Sequence, residues 1–189
     1  MKASLAVIIL FTLVSSLLVP ATALADSDTH TYQLFVVVPN VSEAANGDQV
    51  AITARGTWQV HPNRAIDLTG TFTHRAANGT VLGAGIWTAT DLLEYQSYGC
   101  GVVHNFPTPG ATTPLPPNWC GGAVKMRILA TPSGTNLQIE AILTVFCIIG
   151  PNPPNSHDDP TGEGITLVVP GIANFNHIVV GMNHYVQLN

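Results

Sequence analysis

The chain has 189 residues, a formal net charge of −5 and charged residues at only 9% of positions. After Lys2, the basic residues Arg55, Arg64, Arg75, Lys125 and Arg127 are scattered, which excludes the footprint of a nucleic-acid or anionic-membrane binder. Gly, Pro, Thr and Val dominate while helix formers are scarce, so the composition is that of a β protein.

Residues 1–25 read as a secretory signal peptide. Lys2 supplies the positive start, residues 3–18 an apolar run, Pro20 a break, and Ala23-Leu24-Ala25 a small-x-small cleavage site. The run contains Ser4, Thr12, Ser15 and Ser16, has no basic flank and is short for a bilayer span, so no membrane span is expected in the mature chain. A secreted, extracellular protein follows, with one domain over 26–189, long enough to bury its own core.

The remainder alternates with period 2. Strands are expected at 32–38, 48–61, 66–75, 80–98, 123–131, 135–149, 164–169 and 176–188, each with one dry and one wet face. In 48–61 the inward set is Val50, Ile52, Ala54, Trp58 and Val60; in 135–149 it is Leu137, Ile139, Ala141, Leu143, Val145, Cys147 and Ile149. In the last strand the apolar set is Ile178, Val180, Met182, Val186 and Leu188. Ala77-Asn78-Gly79 and Pro132-Ser133-Gly134 supply tight turns, and Gly83 with Gly85 marks a bulge or bend. Eight strands joined this way predict an antiparallel eight-stranded barrel, with a two-sheet β-sandwich as the alternative. Strict reversal gathers the long connections 99–122 and 150–163, with 62–65 and both termini, at one loop-rich end. The strand Leu68-Thr69-Gly70-Thr71-Phe72 and the strand count resemble the dirigent and allene-oxide-cyclase barrels. That resemblance covers one short segment and implies a shape, with no activity.

Three cysteines leave one unpaired. Cys100 and Cys120 bracket the proline-rich loop and are the expected disulfide in an oxidising compartment, with Cys147 buried and free; Cys100–Cys147 and Cys120–Cys147 are the competing pairs. No CxxC, HExxH or HxH spacing marks a metal site, and no cofactor is expected. His30, His61, His104 and His157 collect at the loop-rich end, with Asp158 and Asp159 beside the last, and would be solvated loop residues unless a metal or acid–base site assembles there. His74 and His184 each interrupt an apolar face, as residues lining an interior cavity or reaching water at a strand end. Trp58 is expected in the core, whereas Trp119 in the proline loop is the exposed aromatic anchor. Asp91 and Glu94, three apart, are expected on opposite faces and so cannot flank one glycosidic bond. Glu140 should pair across strands with Lys125 or Arg127. Asn40-Val41-Ser42 and Asn78-Gly79-Thr80 are glycosylation sequons.

The function expected is that of a secreted, non-catalytic barrel. It would bind an apolar small molecule or an extracellular partner at the loop-rich end, through Trp119, His184, His74 and Tyr98. The alternatives are a cofactor-free isomerase or cyclase using an interior histidine, and a structural or adhesive protein with a filled core.

Overall fold

Period-2 alternation leaves the backbone only strands to form. The computed structural model describes residues 29–153 and 162–189 and holds no helix among them. The expected signal peptide, His157 and its two aspartates lie outside the described residues. The strands are β1 (His30–Ala44), β2 (Gln49–Ile52), β3 (Arg55–Val60), β4 (Ala65–Arg75), β5 (Val81–Cys100), β6 (Val102–His104), β7 (Thr112–Pro114), β8 (Trp119–Pro132), β9 (Ile139–Cys147), β10 (Gly164–Val169) and β11 (Ala173–Gln187). β2 and β3 are two halves of one stave, both pairing with β1 on one side and β4 on the other. β6 and β7 form a separate hairpin inside the β5–β8 connection. Every other strand pairs antiparallel with its sequence neighbours, and β1 pairs with β11. The sheet therefore closes into an eight-stave antiparallel barrel, and the sandwich alternative falls.

The two ends differ as strict reversal requires. His30 and Gln187 stand at the end that carries the long connections. The turns 45–48, 76–80, 133–138 and 170–172 make up the other. β1 continues to Ala44, so its turn is shorter than the sequence pattern indicates. At the loop-rich end β9 and β10 stop early, and β8 reaches across to β11, with Cys120 opposite Tyr185 and Trp119 opposite Val186. Cys100 and Cys120 are direct cross-strand partners on β5 and β8 at disulfide distance, and Cys147 is free and buried. The narrowed interior there is filled by aromatics. Trp58 stacks on Tyr32 at 5.2 Å and meets Tyr185 edge-on at 4.8 Å, while Tyr95 lies 4.9 Å from Tyr32.

Two inward sets differ from the sequence reading. In β11 the buried residues are Phe175, Asn183 and Tyr185; Val180 and Met182 are 47% and 48% exposed on the outer face, and Leu188 is exposed too. Leu137 is also exposed, in the turn before β9. The cause at β11 is the seam with β1, whose register slips between Val36 and Ala44. Pro39, which has no N–H to give a ladder, stands inside this irregular stretch. Side chains replace the missing ladder bonds. Asn40 accepts from the Met182 N–H (2.9 Å) and donates to Asn183 Oδ1 (2.5 Å). Asn183 donates in turn to the carbonyls of Phe146 and Gly164, and the Ser42 hydroxyl bonds the carbonyls of Phe175 and His177. These bonds offset the cost of burying the Asn40, Ser42 and Asn183 side chains. The first sequon is thus part of the wall, with Asn40 and Ser42 both 0% exposed, whereas Asn78 and Thr80 lie on an exposed turn.

β5 adds three more slips, at Thr90, Leu93 and Tyr98, besides one at Leu82 beside Gly83. The Leu93 bulge changes the parity of the strand. Asp91 and Glu94 consequently share the exposed outer face rather than opposing ones. Asp91 lies 3.4 Å from Arg127, which also pairs with Glu140, so Asp91 belongs to a surface ion-pair group.

Candidate functional site

Inside the barrel, at the short-turn end, three small residues on the neighbouring staves β8, β9 and β11 leave space that larger ones would fill. Ala130, Ala141 and Ala173 open a cavity of about 110 Å³ among Val50, Ile52, Phe72, Trp87, Ile128, Leu167, Val169, Ile172 and Phe175. Its walls come from β2, β4, β5, β8, β9, β10 and β11, so the closed sheet itself shapes it. Trp87, fully buried, stands opposite Gly70. A Cβ at residue 70 would come within 1.8 Å of the Thr53 carbonyl oxygen and 2.8 Å of Trp87 Nε1. Glycine there lets the indole lie against bare backbone and donate its N–H to Thr53 O (3.1 Å).

His74 is the one lining residue whose polar atoms are not already committed in this way. It belongs to the inward face of β4, opposite Val50, and meets Phe175 edge-on at 5.5 Å. Its buried Nε2 has no hydrogen bond and lies 3.4 Å from Asp48 Oδ2; Asp48 is anchored in its turn by the Ala77 N–H on Oδ1 (3.2 Å). A single imidazole beside a carboxylate, in otherwise hydrocarbon walls, can orient a ligand by one polar contact.

A second depression, of about 260 Å³, lies on the barrel's flank. Val103, Phe106, Leu115 and Trp119 from the long β5–β8 connection and the start of β8 face Val37, Met182 and His184 from the outer side of β1 and β11. Trp119 packs on the His184 ring at 3.8 Å, which half-buries both. His184 pairs with the outward Phe35, so it stands outside the barrel wall and is not an interior acid–base group. Burial lowers its pKa. Glu163, at the edge of this groove, accepts the Asn183 N–H (2.5 Å), and burial pushes its carboxyl up to about 7. Tyr98 is buried and lines neither depression.

Of the four expected binding residues, the fold brings Trp119 and His184 together on the flank, puts His74 inside the opposite end and removes Tyr98 to the core. Period-2 counting along β4 carries the signal for His74, since it continues the face of Leu68, Gly70 and Phe72. Asp48 and Phe175 escape it, because only closure of the sheet sets them beside His74. Of the loop histidines, His30 Nδ1 contacts Gln187 Nε2 (3.0 Å) and His104 Nδ1 contacts Thr112 Oγ1 (3.0 Å). Among the described residues no three His, Cys, Asp or Glu side chains converge as a metal site would need, and no helix is long and apolar enough to cross a membrane. Comparison with known proteins finds no matching family model, no similar curated protein and no similar solved structure.

Proposed function

We propose that the mature chain, residues 26–189, is an exported, non-catalytic barrel that takes a small apolar molecule into its interior through the short-turn end. The observation that carries this is the hydrocarbon-walled cavity of about 110 Å³ with one histidine on its lining. Apolar cavities of this order, about 150 Å³ in an engineered case, stay dry and accept a benzene-sized guest. Export is supported by the leader-like first 25 residues and by the cysteine pair at disulfide distance. The loop-rich end expected to admit the ligand is occupied by Tyr32, Trp58, Tyr95 and Tyr185, which favours the opposite mouth.

A second reading, an extracellular partner held at the loop-rich end, is favoured by the flank groove and the exposed Phe35, Val37, Phe106 and Met182 around it. An isomerase using His74 has support in the Asp48 contact, but acid–base turnover commonly needs a second group, and the other cavity walls offer none. Native mass spectrometry of protein purified from its own host separates these. A co-purifying small molecule lost on an Ala141→Leu substitution is expected. Protein that arrives empty, or bound only to another polypeptide, contradicts the interior-binding function.

A further inference from the structure

We propose that the cavity selects a neutral aromatic alcohol, a single ring of phenol size whose hydroxyl lies at the His74 rim; this rests on the interior-binding function above. Size sets the first limit, since a cavity of about 110 Å³ is of the order of one, about 150 Å³, that accepts a single benzene ring. The walls set the second. Phe72, Trp87 and Phe175 offer aromatic surfaces to a flat guest, and ring pairs in offset or edge-on geometry gain beyond simple burial.

The polar groups set the third. The Trp87 N–H is already spent on Thr53 O, so the indole offers the guest no hydrogen bond. His74 Nε2 is buried without one, and a buried polar atom left so is costly. A hydroxyl oxygen at the rim accepts from that nitrogen when it carries the proton. The hydroxyl's own proton is then free to donate toward Asp48 Oδ2, 3.4 Å from the imidazole and not used by the Ala77 N–H. An anionic guest meets the Asp48 carboxylate at short range, where like charges repel. A guest with no polar atom leaves His74 as it is. The preference is therefore phenol over benzene and, more sharply, phenol over benzoate.

Calorimetric titration of the purified protein with benzene, phenol and benzoate tests this without any substitution. Benzene is expected to bind with a Kd on the order of 1 mM, given its six heavy atoms. Phenol should bind about tenfold tighter and benzoate at least about tenfold weaker than phenol. An Asp48→Asn variant should shrink the phenol–benzoate gap by about tenfold. If none of the three binds, the interior-binding function itself fails. If benzene binds but phenol is no tighter, or benzoate matches phenol, the selection for a neutral alcohol is overturned while apolar binding stands. An unchanged phenol–benzoate gap in a folded Asp48→Asn protein overturns the role given to Asp48.

Discussion

A methyl group at position 70 would collide with the Thr53 carbonyl oxygen, 1.8 Å away, and displace the Trp87 indole that forms the cavity wall. Relieving both contacts means moving two strands. Gly70→Ala is therefore expected to cost roughly 2–4 kcal/mol in urea unfolding; a loss under about 0.5 kcal/mol would show that the indole does not depend on the bare backbone. Glu163 gives the residue scale a pH-dependent consequence. Its carboxyl titrates near 4.5 when unfolded and at about 7 when folded, because burial opposes its ionisation. Between those values the folded state holds the proton and the unfolded state does not, so this group's contribution is present at low pH and lost as pH rises through about 7. The depressed pKa of His184 acts oppositely, lowering stability as pH falls below its ordinary value of 6.5. Glu163→Gln removes the first effect alone. Melting temperatures should exceed wild type by a few degrees at about pH 8 and converge with it near pH 5; a constant gap across that range would place the origin elsewhere.

At the scale of elements, alternation was legible wherever a strand runs without slipping. β2, β3, β4 and β8 bury the faces their sequences mark, and β9 does so beyond Leu137. It fails where the ladder slips. β11 has its more aliphatic face outward because Asn40, Ser42 and Asn183 bond across an irregular seam, and an asparagine in a sequence does not announce its partner. The Leu93 bulge likewise turns Asp91 and Glu94 to one side, against the parity rule. The proline-rich excursion is tied to the barrel by backbone bonds from Gly101 to Trp119 and from Gln187 to Asn118, besides the cysteine pair at its base. Closing that loop should stabilise the fold by about 3 kcal/mol, so Cys120→Ala should lower the melting temperature yet keep the β-sheet circular dichroism. Alkylation of unreduced, denatured protein should label Cys147 alone. Label on Cys100 or Cys120 would contradict the pairing.

Across the whole molecule, the eight-stave count and the segregation of long and short connections followed from strict reversal, and the closed sheet agrees. Which end is hollow was not legible. Aromatic residues are spread along the sequence, and only the shortness of β9 and β10 narrows the loop-rich end enough for Tyr32, Trp58, Tyr95 and Tyr185 to fill it. The alanines at 130, 141 and 173 read as ordinary strand residues until sheet pairing gathers them on one inward wall, facing the larger side chains across the interior. The barrel is thus plugged where its loops are longest and hollow where its turns are shortest. Crystals exposed to xenon test that polarity most directly. Electron density for xenon between Trp87, Ile128 and Phe175 is the expected result; an empty interior, with xenon only beside Trp119 and Met182 on the flank, would contradict it.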